Sequence, residues 1–288
     1  MILRPVVLAS SLVLLAAGVA WGATADKRPN AWGYKYPASL DAEVSAGQVH
    51  QVHYQDAHIM LMEVSNPSGF KMTMHGHPYP SVFARDTAAP NPNQGALSGE
   101  TFMDPKSPRN GQNWGPGGPP KGAKFPTCAT ADPEDPHLPQ NNSGGPIHFF
   151  RVEFKTFDGP GAAKAYSGRP ERKILYKTDG MRLVEVTLQP GKAEAVANRL
   201  PAVIATDTDA AFRAVLAAAG QGAGSANPPK GMTAPRCVTT GAGMGAPVRN
   251  DGKDPLHFYR VEYLRVDGDG LKDHWRAWYP HMVEMMKK

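Results

Sequence analysis

The sequence predicts an all-β protein made of two tandem jelly-roll barrels, each a double-stranded β-helix, with a few short helices. Three observations lead to this fold class: an internal repeat, short apolar or alternating segments, and a high content of turn residues. The 288 residues include 28 prolines and 30 glycines, which argues against a helical bundle. Many short strands separated by turns rich in Gly, Pro, Asn and Asp are typical of a sandwich or a jelly-roll barrel.

The repeat is clearest in a strand-like segment near the end of each copy. The segment GPIHFFRVEFKTFDG at 145–159 matches DPLHFYRVEYLRVDG at 254–268, an offset of 109 residues. The same offset relates Cys128 to Cys237. Two copies of about 110 residues indicate the duplication of one domain, because a solenoid needs many shorter units.

A second match lies upstream in each copy. HIMLMEVSNPSGF at 58–70 resembles GMRLVEVTLQPGK at 180–192 with an offset of 122 residues. The first copy therefore holds about a dozen extra residues, which fall in its Gly/Pro/Asn-rich middle near 88–120. Apolar runs such as IMLMEV and alternating runs such as HFFRVEF predict the strands.

Two segments predict helices within this β pattern. The alanine-rich segment 207–220 has an Asp cap at its start and a glycine stop at its end. The segment 271–282 predicts a second helix, which Pro280 would end or kink. Both are short, so they leave the all-β class unchanged.

The first 25 residues have the pattern of a secretory signal peptide. Arg4 precedes an apolar run at 5–20, and Ala-Thr-Ala at 23–25 supplies the small residues of a cleavage site. Cleavage after residue 25 is the preferred interpretation, with cleavage after Gly22 and an uncleaved anchor as the alternatives. The pattern predicts export to the periplasm or the medium.

The repeat divides the remaining chain into an N-terminal barrel over 26–165 and a C-terminal barrel over 166–288. The formal net charge of +5 is modest, and no run of Lys and Arg forms a stripe, so we expect no nucleic-acid partner. No later segment is long and apolar enough for a transmembrane helix. The expected partner is a small-molecule ligand or substrate, and a homodimer is compatible with the sequence.

The two cysteines, Cys128 and Cys237, occupy equivalent positions in the two copies. An oxidising compartment would permit a disulfide between them. Their spacing does not distinguish a disulfide from two buried thiols, because a bridge needs Cα atoms within about 7 Å. Both alternatives stay open at the level of the sequence.

The segment GFKMTMHGHPYPSV at 69–82 carries two histidines, His75 and His77, after a glycine and five further residues. It resembles the first motif of the cupin superfamily, whose small jelly-roll barrels often occur in tandem as bicupins. In that family a glutamate follows the second histidine by three or four residues. Ser81 and Val82 occupy its place here, so the family's carboxylate ligand is missing.

A second motif supports the resemblance. In the cupin family a histidine and an asparagine with three residues between them precede the last strand, as His137 and Asn141 do here. The resemblance covers about 45–280, most of the chain after the leader. It implies that His137 is the third metal ligand, beside the His-x-His pair.

The second copy departs from both motifs. Val196 and Asn198 stand near the positions of the His-x-His pair, or Ala197 and Arg199 if the gap moves by one residue. Ala246 stands at the position of the third histidine. We therefore expect the C-terminal barrel to be a degenerate cupin without metal, which supports the first barrel.

The resemblance implies a metal centre held by His75, His77 and His137. On a strand, residues i and i+2 face the same side, so the first two imidazoles could reach one ion. Such ligands suit a divalent transition metal, with Fe, Mn, Zn and Ni all open. Three protein ligands leave positions for water or substrate.

Two functions follow from this site. The first is an exported metal-dependent enzyme on a small organic substrate, of oxygenase, isomerase or lyase type, with Tyr79 or Glu134 as acid–base group. The second is a non-catalytic periplasmic protein, either small-ligand-binding or structural, whose imidazoles line a pocket. A carboxylate that replaces the missing glutamate could come from Glu63, Glu134 or Asp135.

Other polar residues have structural interpretations. His148 and His257 occur at one strand position in both copies, so we expect them to be structural, with hydrogen bonds across the interface of the barrels. Arg151 and Glu153, like their counterparts in the second copy, share a strand face and predict cross-strand ion pairs. Three further histidines precede the barrel core and are interpreted as sources of adventitious metal binding: His50, His53 and His58.

Overall fold

The computed structural model describes most of the chain after the predicted leader. The described residues are 28–86, 98–108, 110–111, 126–142, 147–157, 168–169, 171–194, 200–219, 225–226, 228, 231–232, 234–241, 243, 245–267 and 270–271. The predicted signal peptide lies outside them. So does the helix predicted over 271–282, apart from Leu271, which belongs to a short strand.

Strands dominate the described secondary structure. The strands of the first half are β1 (His50–Gln55), β2 (Ile59–Asn66), β3 (His75–His77), β4 (Ser81–Arg85), β5 (Ser98–Phe102), β6 (Thr127–Ala131), β7 (Glu134–Gln140) and β8 (Ile147–Phe154). Those of the second half are β9 (Arg172–Lys177), β10 (Met181–Leu188), β11 (Ala202–Thr206), β12 (Ser225–Ala226), β13 (Arg236–Thr240), β14 (Leu256–Tyr263), β15 (Val266–Asp267) and β16 (Gly270–Leu271). The helices are a 3₁₀ turn (Ala38–Leu40), α1 (Ala42–Ser45) and α2 (Asp209–Ala219).

The strands form antiparallel sheets, and the predicted all-β class with few helices is confirmed. In the first half, a five-stranded sheet in the order β1-β2-β8-β4-β6 accompanies a three-stranded sheet in the order β3-β7-β5. In the second half the order is β12-β13-β11-β14-β10-β9, and β15 pairs with β16. No helix in the described part of the chain has the length and hydropathy needed to cross a membrane.

The pairing registers of the two halves coincide at the repeat offsets. Ile59 lies opposite Phe154 in β2–β8, and Met181 lies opposite Tyr263 in β10–β14. The isolated bridge between residues 71 and 140 has its equivalent between residues 193 and 249. Within the described residues, that bridge is what the second half retains of the sheet formed by β3, β5 and β7.

The outer faces of the two large sheets form one shared core. Its members come largely in equivalent pairs, such as Leu61 with Leu183 and Val152 with Val261, all fully buried. A disulfide between Cys128 and Cys237 links β6 to β13, with the Cα atoms 6.3 Å apart. Of the two alternatives that the sequence left open, a disulfide and two buried thiols, the structure has the disulfide.

Helix α2 packs on the second half and completes its apolar interior. Phe212 and Val215 of α2 join a cluster with Val186 of β10 and Phe258 of β14. The cap of this helix differs from the prediction: the Ala211 amide donates to the hydroxyl of Thr208, so the threonine is the cap and not an aspartate. The interior of the second half therefore contains an apolar cluster to which this helix contributes.

Candidate metal centre

The predicted His-x-His pair and the third histidine meet in the small sheet of the first half. In the β3–β7 pairing, His75 lies opposite His137 and His77 lies opposite Glu134. The ring centroids of His75 and His137 are 4.8 Å apart, and those of His77 and His137 are 5.9 Å apart. All four side chains are buried. Strand pairing thus brings together motifs that are 60 residues apart in the sequence.

A fourth histidine, which the sequence reasoning did not place in the site, joins this cluster. The ring of His50 from β1 lies 4.4 Å from that of His75 and 5.2 Å from that of His77, measured between centroids. The ligand atoms of His50, His75 and His77 lie within 4.8 Å of one another, and so do those of His77, Glu134 and His137. The only sequence signal for His50 was the alternation of its strand, which puts it on one face with Val52.

Each of the four imidazoles is held through its Nδ1 atom. Backbone carbonyl oxygens accept from His75 (2.7 Å, Thr73), from His137 (2.8 Å, Asp135) and from His50 (3.3 Å, Ala46). His77 Nδ1 lies 2.8 Å from Glu153 Oε1. A carbonyl oxygen only accepts, so Nδ1 carries the proton in three of these rings and Nε2 keeps its lone pair.

Burial keeps three of these imidazoles, those of His50, His75 and His77, in the neutral form. It lowers the pKa of His50 to about 3, with the Arg151 guanidinium adding to the effect. It also lowers the pKa of His75 and His77 well below the usual range, helped by the neighbouring cationic and imidazole groups. Neutral imidazoles are the form that binds a transition metal. The donor set therefore fits a divalent ion such as Fe, Mn, Zn or Ni.

Two carboxylates and one guanidinium surround the histidines. Arg151 Nη1 donates to Glu134 over 2.5 Å, and Arg151 Nε lies 3.0 Å from Glu153. The Arg151–Glu153 pair runs along one strand, so the predicted cross-strand pair is wrong for these two residues. Because Glu153 is fully buried, its pKa rises to about 8, although Arg151 opposes the shift. Glu153 holds the His77 ring through Nδ1, and a divalent ion on Nε2 would favour the ionised form of this carboxyl group.

The glycine between the two histidines allows the strands to approach closely. A Cβ on Gly76 would lie 2.3 Å from the Tyr34 hydroxyl, 2.9 Å from the Glu134 carbonyl oxygen and 3.1 Å from the Pro136 nitrogen. Such distances exclude any side chain without a shift of the backbone of β7. The middle residue of HGH is thus required by packing.

The other predicted site residues have different positions. Glu63 bonds His53 and His148 on the opposite face of β2, so it does not reach the histidine cluster. Asp135 contributes its backbone carbonyl to the site. Tyr79 is half-buried between β3 and β4, and its role as an acid–base group stays a prediction.

The second half replaces this cluster with ion pairs. Arg172 occupies the strand position of His50 and donates to Glu194 over 2.6 Å and to Glu262 over 3.0 Å. Arg260 donates to Glu262 (2.9 Å) and to Glu194 (3.2 Å). The position of the third histidine is the exposed Ala246, while 195–199, the region of the His-x-His pair, lies outside the described residues.

His148 and His257 form matching buried clusters, one in each half. His148 lies between Asp86 (2.7 Å) and Glu63 (2.8 Å). His257 lies between Asp207 (2.6 Å) and Glu185 (3.1 Å). These hydrogen bonds stay within each half, so the expected bonds across the interface are wrong.

The carboxylates keep both of these histidines protonated. Burial alone would lower the pKa of each imidazole, but the two flanking carboxylates outweigh it and raise the pKa of His148 and of His257 to about 9. The same arrangement of an imidazole between two carboxylates occurs in the half without the histidine cluster. This supports the interpretation of His148 and His257 as structural residues.

Comparisons with known proteins concern the fold. No known family model and no curated protein sequence matches the chain. Solved structures similar to it include a cupin domain from Bordetella pertussis Tohama I, with 15% identity over 38% of this chain and 93% of that one, at a TM-score of 0.26. Another is salicylate 1,2-dioxygenase from Pseudaminobacter salicylatoxidans, with 10% identity, 77% of each chain covered and a TM-score of 0.24.

A third similar structure is a mutant of Bacillus subtilis oxalate decarboxylase, with 12% identity over 75% of this chain and 70% of that one, at a TM-score of 0.22. At such identities and TM-scores these similarities carry no statement about activity. The strands form antiparallel sheets, and β3 and β7, which carry the two sequence motifs, lie side by side.

Proposed function

We propose that the first half is a metal-dependent enzyme acting on a small organic substrate, with His75, His77 and His137 as ligands of a divalent transition metal. The observation that carries this proposal is the convergence of buried imidazoles that are each oriented through Nδ1. A bound ion would supply Lewis-acid polarisation of a substrate oxygen, or a site for oxygen chemistry.

We assign the fourth ligand position to His50. Glu134 competes for it, but Arg151 donates to one of its carboxylate oxygens at 2.5 Å, which draws the carboxylate toward the guanidinium. His50 has a backbone carbonyl behind it, as His75 and His137 do. Glu134 then remains beside the metal position as the group that accepts or donates a proton.

The metal assignment is tested by elemental analysis of the mature protein, purified without a histidine tag. We expect near-stoichiometric metal in the wild type and in a His58→Ala control, since His58 bonds Thr156 on the exposed surface. A His75→Ala/His137→Ala double variant should lose the metal, and His50→Ala should lower affinity by roughly tenfold or more. Equal trace metal in all four proteins would refute a metal centre.

The catalytic role is tested separately on the metal-loaded protein. A panel of small carboxylic and carbonyl compounds is incubated with the wild type and with Glu134→Gln, and products and oxygen uptake are followed. We expect turnover that falls by about 10²–10⁴-fold in Glu134→Gln while metal content is kept. Saturable binding without product in the wild type would instead identify the non-catalytic small-ligand-binding protein.

We also propose that the protein works in an oxidising compartment outside the cytoplasm. The Cys128–Cys237 disulfide supports this, because such bonds persist mainly in exported proteins. Fractionation of producing cells, with the mature N-terminus determined by mass spectrometry, tests it. A mature chain that starts at residue 26 and lies outside the cytoplasm is the expected result, and a full-length cytoplasmic chain would contradict it.

A further inference from the structure

Arg85 is a buried cation in the first half that the proposed metal chemistry does not use. It ends β4, and the whole residue is 5% exposed. Its guanidinium carbon lies 5.3 Å from the ring centroid of Phe83 and 5.8 Å from that of Phe149. Among the described residues no carboxylate forms an ion pair with it, and its Nε atom is buried without a hydrogen-bond partner.

The charged groups nearest in the fold are already engaged. Asp86 follows directly but points to the opposite face of the strand, where it bonds His148. Glu134 is the one carboxylate of the described part of the chain that acts on Arg85 electrostatically, and it is bonded to Arg151. An arginine does not lose its proton in a protein, so Arg85 is a buried charge to which the described residues offer no direct counter-charge.

Arg85 faces the same interior as the histidine cluster. Along β4, Phe83 and Arg85 share one face, and Phe83 packs in the interior cluster with Met60 and Met62. The Arg151 guanidinium, which bonds the carboxylates of the metal centre, lies over the same Phe83 ring, with its carbon 4.8 Å from the centroid. The two guanidinium groups therefore share Phe83.

The repeat provides an internal comparison for this position. Ser81 and Ala202 lie opposite the equivalent residues Glu153 and Glu262, so β4 and β11 align and Arg85 corresponds to Thr206. The Thr206 hydroxyl donates to the Arg236 carbonyl oxygen and needs no further partner. The arginine at this position therefore occurs only in the half that carries the histidines. Arg151, by contrast, has an equivalent in the second half, Arg260.

We propose that Arg85 binds the carboxylate of a small organic anion with an apolar or aromatic body, which is the substrate of the metal centre. A guanidinium presents parallel N–H donors that match the two oxygens of a carboxylate. The rings of Phe83 and Phe149 and the neighbouring methionines make the surroundings of this guanidinium apolar, which suits an anion with an apolar body. A divalent ion would add positive charge to the same interior and favour an anion further.

This inference deepens the proposed function: the anion is a substrate only if the metal centre is active, but its binding depends on Arg85. The test therefore uses benzoate as the probe and benzamide as its neutral isostere, on metal-free protein and on metal-loaded protein. Calorimetry gives the affinity, and thermal unfolding reports both stabilisation by the probe and the integrity of each variant.

We expect wild-type protein to bind benzoate at least about tenfold more tightly than benzamide with or without metal. Arg85→Met should lower benzoate affinity by about tenfold or more while keeping the metal content. The benzoate affinity of Arg85→Lys should lie between those of the wild type and Arg85→Met. Arg249→Gln removes an exposed arginine and should leave affinity unchanged. Equal binding of benzoate and benzamide by the wild type, or wild-type affinity in Arg85→Met, would overturn the proposal.

The wild-type comparison and Arg85→Lys remain decisive if Arg85→Met does not fold. The two proposals also fail separately. If the protein holds no metal but binds benzoate in a way that depends on Arg85, the anion site is supported and the metal-dependent enzyme is refuted. If the protein holds stoichiometric metal but its affinity for benzoate does not depend on Arg85, the metal centre is supported and the anion site is refuted.

Discussion

At the scale of single residues, the two halves act as a comparison that separates structural groups from functional ones. His148 and His257 recur with their carboxylates, and Arg151 recurs as Arg260, so these residues serve the fold. His50 and Arg85 differ between the halves, and both lie in the half with the histidine cluster. The residues that differ between the copies therefore indicate the candidate site more directly than the shared residues do.

The buried His148 and His257 imidazoliums predict a loss of stability at alkaline pH. Each has a folded pKa of about 9 against an ordinary value of 6.5. Because the folded pKa is raised, their contribution is complete below about pH 6.5 and disappears as pH rises through about 9, on the order of a few kcal/mol for each. Denaturant unfolding between pH 6 and pH 10 should show this decline.

A His148→Gln/His257→Gln variant provides the matched comparison. It should be less stable than the wild type at neutral pH and should show a flatter dependence on pH. His58→Gln, which changes a partly exposed histidine outside these clusters, should follow the wild-type curve. An unchanged alkaline slope in the double variant would show that other groups cause the decline.

At the scale of elements, the position of β3 between the N-terminal segment and β7 sets the shape of the site. Asp41 bridges to Gly76 on one side, and β7 pairs on the other, with the Tyr34 hydroxyl above the glycine. A strand packed this tightly holds its two histidines in one position. The geometry of the proposed metal centre therefore depends on Gly76, which is not itself a ligand.

Gly76→Ala should therefore destabilise the protein and weaken metal binding. Overpacking of this kind costs about 1–3 kcal/mol, and any shift of β7 moves His137 and Glu134. Unfolding experiments and metal titration measure the two effects. Adding Tyr34→Phe removes the nearest clashing atom and should recover part of the loss, while Tyr34→Phe alone should retain metal. Wild-type stability and affinity in Gly76→Ala would contradict the close approach.

At the scale of the whole molecule, one apolar core and one disulfide join the halves. The shared core is built from equivalent residues of both large sheets, and the Tyr263 hydroxyl donates across it to the Ala84 carbonyl oxygen. The Cys128–Cys237 bond closes a loop of 109 residues. The second half, with its apolar interior and α2, thus supports the half that carries the site.

Removal of the disulfide should lower the stability of the whole molecule. For a loop of this length, the entropy model gives roughly 5 kcal/mol as an upper value. A Cys128→Ser/Cys237→Ser variant and reduced wild type should both melt at lower temperature, in a single transition because the core is shared. Reductant should not change the variant. Separate melting of two units would show that the disulfide, and not the core, couples the halves.

The sequence by itself determined the fold class, the duplication and the three motif histidines, because strand alternation, repeat offsets and residue spacing are local properties of a chain. It also identified Glu134. The tertiary structure decided which strands meet, and this brought in His50 and Arg85, placed Glu63 on the opposite face and joined the cysteines. Those outcomes depend on pairing between strands far apart in sequence and on the face to which each side chain points, and a shift of register by one residue would reverse them.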